Sequence, residues 1–263
     1  MKLKISFLTF LFLVSVFFQM GCTHTISLRD SHYATPIASQ NQWGGHFAAT
    51  FNGKTNITLV QDTASNPPIR GTIGVNSNVT VTDLLFLSNI GADLALSPYS
   101  GLDLIWESPL FGVRWQFLNH KAQDHQWVGA LHGAYGNYTA SSSSSDSTNG
   151  TIKSESNIVT AYAGVSLGYK VSSQLIPYYS YIYEVHDTNS KVTNQHGTFP
   201  SSGTYEDHGI HTIHSVGFTT EGPGLIFTTE YSMIYILWAQ GAIKSPTTES
   251  YQNTLGFKIG YGW

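Results

Sequence analysis

Histidines and carboxylates are concentrated in one late part of the chain, between residues 184 and 214. In HGIHTIH, three histidines are spaced by three, which would gather them on one face of a helix but puts His211 opposite His208 and His214 on a strand. Imidazole and carboxylate groups can bind metal ions, so an external metal site is one hypothesis. The favoured interpretation is solvated loop histidines, and we predict no metal site and no cofactor. The residues concerned are His186, His196, His208, His211, His214, Glu184, Asp187, Glu206 and Asp207.

Serine is the other residue type that could perform chemistry, as a nucleophile next to a basic histidine. No serine stands in a spacing that indicates such a pair. The run SSSSSD at 141–146 has low complexity, which is typical of a flexible loop. We therefore predict no catalytic residues.

The elements that carry these residues have a period of two. The chain ends in NTLGFKIGYGW, in which one set of alternate residues is wholly apolar and the other is small or polar. The same alternation recurs in FGVRWQFL, NIVTAYAGVSLGYKV, LIPYYSYIYEV and GLIFTTEYSMIYILW, and no convincing helix follows Trp43. These runs are long for soluble strands but close to the roughly 9–11 residues with which a tilted strand crosses a bilayer.

The composition agrees with a lipid-facing exterior and a wet interior. Only 11% of the 263 residues are charged, 13% are aromatic, and there are 25 glycines. Ordinary globular proteins have roughly 25% charged residues. The formal net charge of −4 supplies no basic surface, so nucleic acid is excluded as an expected partner.

The N-terminus predicts export. Lys2 and Lys4 precede the apolar run ISFLTFLFLVSVFF, which is too short for a comfortable membrane helix. QMGC follows and contains Cys22, the only cysteine. It resembles the bacterial lipobox in its Gly-Cys pair but departs from it at Gln19 and Met20. We predict a signal peptide at 1–21, a lipid-anchored periplasmic tether at 22–42 and a barrel at 43–263, with ordinary signal cleavage as the alternative.

The connections between the strands alternate in length. Read back from the C-terminus, AQGAIKSPTTES is long, EGPG is tight, the connection at 184–209 is very long, VSSQ is tight, and ASSSSSDSTNGTIKSESN is long. Long loops outside and short turns towards the periplasm are typical of outer-membrane barrels. We predict 12 strands, with 10 as the alternative if the region 79–107 forms fewer, longer strands. The predicted strands are 44–52, 69–75, 79–87, 91–97, 101–107, 110–118, 126–138, 157–171, 175–186, 209–220, 225–238 and 251–263.

With this loop pattern and the terminal aromatic of GFKIGYGW, the chain resembles a bacterial outer-membrane β-barrel protein over residues 43–263. The resemblance implies an all-β, closed antiparallel transmembrane barrel in the bacterial outer membrane. It also implies outer-membrane lipid and the barrel-assembly machinery as partners, and Tyr261 and Trp263 in an aromatic membrane girdle. If Cys22 is lipidated, we expect the anchor at the periplasmic leaflet.

Strand alternation also predicts which charged residues face the lumen. Six acids and three bases would leave an excess of three negative charges inside. Either these charges pair across a packed interior, or they line a narrow water-filled passage that favours cations. The predicted residues are Asp83, Asp93, Asp103, Glu107, Arg114, Lys170, Glu184, Glu230 and Lys258.

The sequence therefore favours a non-enzymatic outer-membrane lipoprotein with a structural or surface-interaction role. The ligand of its long extracellular loops is not indicated. A narrow cation-preferring pore or small-solute transporter is the alternative. An outer-membrane acyl hydrolase or protease is the second alternative.

Overall fold

The computed structural model describes residues 25–29, 32–51, 54–61, 69–76, 90–121, 123–146, 150–172, 174–194, 201–220, 222–240 and 251–263. Among these residues, no helix is long and apolar enough to cross a membrane. The described residues form thirteen strands: β1 (Thr25–Arg29), β2 (Gly45–Phe51), β3 (Lys54–Gln61), β4 (Ile69–Asn76), β5 (Ile90–Tyr99), β6 (Leu102–Glu107), β7 (Leu110–Leu118), β8 (Gln126–Asp146), β9 (Gly150–Lys170), β10 (Ile176–Asn194), β11 (Ser201–Thr219), β12 (Gly224–Gln240) and β13 (Tyr251–Gly262).

Ten of these strands close into an antiparallel barrel. β2 pairs with β5, each strand from β5 to β13 pairs with the next, and β13 returns to β2. The closing pair runs from Phe257 opposite Phe51 to Gly262 opposite His46. Every backbone group in the hydrocarbon needs a partner, and closure supplies it. The predicted fold class, an all-β closed antiparallel barrel, is confirmed.

The count of 12 strands is wrong, and the alternative of 10 is found. The predicted strand at 69–75 does form, but it pairs with β3, which the sequence pattern did not indicate. β3 also pairs with β1, so that β1, β3 and β4 make a separate three-stranded sheet. The predicted strand at 79–87 lies outside the described residues. β5 and β6 remain two separate strands. The count of ten strands therefore does not come from these two having merged into one.

The outer face of the barrel carries an apolar belt. On β10 and just before it, the outward residues from Leu175 to Val185 are apolar or tyrosine, and they are followed by Asp187 and Asn189. This belt covers 11 residues (175–185), which matches the roughly 9–11 residues of a bilayer-crossing strand. On β8 the belt ends at Tyr135, which is 56% exposed. The change from apolar to polar outward residues marks the outer limit of the membrane.

The barrel wall is much taller on one side. β8 and β9 have 21 residues each and β10 and β11 have 19 each, whereas β6 has 6 and β7 has 9. We call β8–β11 the tall wall. Much of the expected loops at 139–156 and 184–209 is therefore strand, which corrects their assignment as loops. Beyond the membrane the described side chains of these strands are mostly polar, although Ile158 is buried on the inner face, and the ladder of backbone hydrogen bonds continues.

Candidate functional site

The lumen is occupied by the chain's own N-terminal part. We call residues 32–41 the luminal segment. Its side chains from His32 to Ala38 are all buried, and Tyr33 is only 1% exposed. This part of the expected tether therefore lies inside the barrel instead of below it. The boundaries of the signal peptide and the lipid-anchored part fall outside the described residues and stay predictions.

Side chains of the barrel wall satisfy the polar groups of the luminal segment. The Arg114 guanidinium donates to Thr35 Oγ1 at 2.5 Å. The amide of Ala38 donates to Gln116 Oε1 at 2.9 Å, and the amide of Ser39 donates to Asp103 Oδ1 at 3.1 Å. Buried backbone amides without partners are costly, so these contacts allow an irregular segment to remain in a closed interior.

Apolar contacts accompany these hydrogen bonds. Ala34 packs in a buried cluster that includes Leu110, Ile182 and Ile213, while Ile37 packs against Val128 and Ile176 on the wall.

A glycine on β9 makes room for the luminal segment. A Cβ atom added at Gly168 would lie 2.7 Å from Cγ of Pro36 and 2.8 Å from the carbonyl oxygen of Pro177. Only a residue without a side chain fits between the wall and Pro36, so the segment is shaped to this part of the interior.

Eight of the nine charged side chains that strand alternation assigned to the lumen are described by the structure. Asp83 lies outside the described residues. The other eight are buried in the barrel, each at most 7% exposed: Asp93, Asp103, Glu107, Arg114, Lys170, Glu184, Glu230 and Lys258.

Several of these charges contact each other or a buried hydroxyl. Arg114 Nε donates to Asp103 Oδ2 at 2.9 Å across the β6–β7 hairpin. Lys258 Nζ lies 2.9 Å from Asp93 Oδ2. The Tyr178 hydroxyl donates to Glu230 Oε2 at 2.7 Å. Charges buried at low dielectric need such partners, and these contacts agree with a packed, internally paired lumen.

A cluster of histidines and carboxylates lies higher in the lumen. Glu184 and His186 follow each other on the inner face of β10, and His211 stands directly opposite Glu184 on β11. His186 Nε2 lies 2.9 Å from Glu184 Oε1 and 3.2 Å from His211 Nδ1. His32 of the luminal segment approaches the other oxygen of Glu184, with 2.5 Å between Nε2 and Oε2. We call Glu184, His186, His211 and His32 the histidine cluster.

Glu107 extends the histidine cluster on the far side of His32. Its Oε2 lies 3.4 Å from His32 Nδ1 and accepts a hydrogen bond from the Tyr162 hydroxyl at 3.1 Å. The chain of contacts therefore joins β6, β9, β10 and β11 through one residue of the luminal segment.

The other histidines predicted as a group are separated from this cluster. His214 faces outward, where its Nδ1 lies 2.7 Å from the Tyr179 hydroxyl. His208 pairs with Asp187 on the outer face above the apolar belt. His196 lies outside the described residues. The interpretation as solvated loop histidines is wrong for His186 and His211, which are 4% and 9% exposed. Strand alternation had already put His211 opposite its two neighbours.

Ser166 and His132 are in contact in the barrel interior. His132 Nε2 lies 2.7 Å from Ser166 Oγ, which is a nucleophile-to-base distance. Ser166 is only 1% exposed, so the hydroxyl is closed off from a substrate carbonyl in this structure. The contact links β8 and β9 and gives no support for a hydrolase.

The remaining predicted sites are at the lower end and the N-terminus. Tyr261 is 63% exposed and Trp263 is 47% exposed, and both lie on the outer face at the end with short turns. Trp263 also exchanges backbone hydrogen bonds with Gly45, at 3.0 and 3.2 Å. Cys22 lies outside the described residues, so its lipidation stays a prediction.

Sequence reasoning missed the luminal segment because HYATPIASQN has no period of two or of 3.6. A weak signal was present, since from His32 to Asn52 the chain contains no Asp, Glu, Lys or Arg. A tether in water seldom lacks charge over such a length. Small, uncharged residues suit a segment that must fit inside a barrel.

Comparisons with known proteins include one distant similarity. No protein-family model and no curated protein sequence matches the chain. Among solved structures, Ail, the attachment invasion locus protein of Yersinia pestis, is similar with 10% sequence identity and a TM-score of 0.35. The alignment covers 85% of this chain and 100% of that chain. At this distance the similarity carries no argument about function.

The geometry of the barrel gives the cellular location. A closed antiparallel barrel with an apolar belt outside and buried charges inside is the architecture of an outer-membrane protein. The chain is an outer-membrane β-barrel protein, located in the bacterial outer membrane.

Proposed function

We propose that this protein is a self-closed, non-enzymatic outer-membrane barrel with a structural or surface-interaction role. The observation that carries the proposal is the luminal segment, which lies inside the barrel and makes hydrogen bonds to Arg114, Gln116 and Asp103. A barrel whose own chain occupies its lumen is suited to presenting a surface outside the cell.

The tall wall supplies that surface. Beyond Tyr135, which is the last partner of β7, the described part of β8 pairs only with β9. The free edge offers backbone N–H and C=O groups to an extended segment of a partner. Outward residues in this part of the wall are polar, such as Asn137, Glu155 and Asn189. We propose that the tall wall is the part that contacts other molecules.

The cation passage remains the second candidate because of the charge balance. Among the described residues, five buried acids face three buried bases in the lumen. An acidic lining raises cation occupancy in a water-filled pore. For ions to pass, the luminal segment would have to leave its position, so this function requires a movement that the first proposal does not.

Planar-bilayer conductance separates the two. We expect no steady current from the wild-type protein, and a current from a variant in which residues 32–39 are replaced by a glycine-serine linker of the same length. Steady cation-selective current from the wild type, reduced by Asp93→Asn and Asp103→Asn, would contradict the proposal and support the passage.

We also propose that Cys22 carries the lipid of a lipoprotein. Only the sequence supports this, since the cysteine directly follows the apolar run and a glycine. Metabolic labelling with a fatty acid should tag the wild type but not Cys22→Ser. Label retained in the serine variant would refute lipidation at this residue.

A further inference from the structure

In the histidine cluster, two hydrogen-bonding atoms converge on His186 Nε2. His186 Nε2 faces both Glu184 Oε1 and His211 Nδ1, at 2.9 and 3.2 Å. A single ring hydrogen can satisfy only one of these contacts. His186 Nδ1 in turn lies 3.2 Å from Thr160 Oγ1. With the ring hydrogens on Nδ1 of His186 and Nε2 of His211, only lone pairs would face each other between Glu184 Oε1, His186 Nε2 and His211 Nδ1. Lone pairs that converge in a buried site attract a cation.

A second pair of buried atoms in the cluster forms a close ion-pair contact. Nε2 of His32 lies 2.5 Å from Oε2 of Glu184, although the ring N–H does not point at this oxygen in a hydrogen-bonding geometry. His32 therefore contacts the carboxylate oxygen of Glu184 that His186 does not approach.

The distances suit a metal ion. In a tetrahedral zinc site, bond lengths of about 2.0–2.1 Å put neighbouring ligand atoms roughly 3.3 Å apart. The ligand atoms of Glu184, His186 and His211 all lie within 4.8 Å of one another, and two of the separations are 2.9 and 3.2 Å. All three side chains are buried on rigid, paired strands.

We propose that Glu184, His186 and His211 bind a divalent transition-metal ion of the zinc type, and that the bound ion fastens the luminal segment through His32. Two imidazoles and one carboxylate are a donor set that suits zinc and leaves a fourth position open. Thr160 Oγ1 can accept the hydrogen of His186 Nδ1, the position that carboxylate, backbone carbonyl or water oxygens take beside metal-bound histidines. His32 lies between Glu184 and Glu107 and links the metal ligand to the wall.

The test uses the full chain, refolded in detergent micelles and stripped with a chelator. Zinc chloride is titrated by calorimetry, and cobalt chloride is titrated by visible absorption, which reports a tetrahedral site. The wild type should bind one equivalent of either ion. His211→Asn and His186→Gln should weaken binding by at least about tenfold. The gel mobility shift between heated and unheated samples verifies that each variant is folded.

Two control variants make the result specific. His132→Gln removes another buried histidine that lies outside the cluster, and His208→Asn removes the outer histidine paired with Asp187. Both should bind zinc as the wild type does. A wild type that binds no zinc, or a folded His211→Asn variant with wild-type affinity, would overturn the metal site. Loss of binding in His208→Asn would place the ion on the outer surface and also overturn it.

The role of His32 has its own readout. Zinc should slow hydrogen exchange of the luminal segment in the wild type, and this protection should be lost in His32→Gln while one equivalent of zinc is still bound. Equal protection in both proteins would overturn the fastening role. Neither measurement depends on conductance, so the metal site and the proposed function can fail separately.

Discussion

The hydroxyl of Tyr33 lies 2.8 Å from the carbonyl oxygen of Phe257, a residue 224 positions later in the chain. The same hydroxyl is 2.8 Å from the carbonyl oxygen of Phe51, which stands opposite Phe257 where the barrel closes. Tyr33 has a φ of 46°, a left-handed conformation that is uncommon for a bulky residue. Its contacts therefore hold both the luminal segment and the seam between the first and last barrel strands.

Removing the Tyr33 side chain should destabilise the barrel. We expect Tyr33→Ala to lower the free energy of unfolding by about 3–5 kcal/mol, as for other buried aromatic truncations, and Tyr33→Phe by about 1 kcal/mol for the lost hydrogen bond. Urea titration of the refolded protein in lipid vesicles measures both. Tyr99→Phe, at a residue 67% exposed, is the matched control and should change little. Equal stability of Tyr33→Ala and the wild type would show that the segment does not support the wall.

The pair of Asp93 and Lys258 should act as a unit. Asp93→Asn leaves the buried ammonium without its charged partner, and Lys258→Met leaves the carboxylate with its contact to His46, which lies 3.2 Å away. Each single change should cost about 3–5 kcal/mol, while the double variant should lose less than their sum. Urea unfolding of all four proteins gives the coupling energy. Simple additivity would mean that the two charges are independent.

The apolar belt predicts where charge is tolerated on the outer face. Leu255 is 41% exposed near the middle of the belt on β13, so Leu255→Arg should cost about 2–4 kcal/mol and reduce assembly. Asn189 also faces outward but lies above the belt, and Asn189→Arg should be nearly neutral. The folded fraction in outer-membrane preparations, read from heat-dependent gel mobility, compares the two. Similar yields would contradict the assigned membrane depth.

Strand alternation separates the two faces of a strand when the sequence alone is considered. In LIPYYSYIYEV the set containing Ile176, Ser180 and Glu184 is buried, because a pleated strand places alternate side chains on opposite faces. The same reasoning separated His211 from His214. These features depend only on neighbours along the chain, so a single sequence contains them.

The contents of the lumen could not be predicted in this way. The contacts of Ser39 with Asp103 and of Ala38 with Gln116 join residues 64 and 78 positions apart, and no local pattern encodes them. The histidine cluster likewise needs two strands and the luminal segment at one height. Strand count failed for a related reason, since the predicted strand at 69–75 pairs with β3 outside the barrel, and its own sequence does not show which strand it pairs with.

The path of the luminal segment sets the position of the N-terminus. Gly45 lies beside Trp263 at the periplasmic end of the barrel, while Phe51 lies towards the opposite end, from which the tall wall projects. β3 follows Phe51, and β1 pairs with β3, so residues 25–29 lie at the outer end of the barrel. The luminal segment therefore descends from outside to the periplasmic end. Cys22 lies outside the described residues, three positions before β1, so the expected anchor at the periplasmic leaflet stays a prediction.

Cysteine labelling on intact cells tests this path. In a Cys22→Ser background, Ser27→Cys should react with a membrane-impermeant maleimide added outside the cells. Gln174→Cys, in an exposed short turn at the opposite end, should react only after the outer membrane is permeabilised. Each protein then serves as the control for the other. If Ser27→Cys also requires permeabilisation, residues 25–29 lie in the periplasm and the descending path is wrong. If it reacts from outside, lipid attached at Cys22 would have to sit at the cell surface, because three residues cannot cross the membrane.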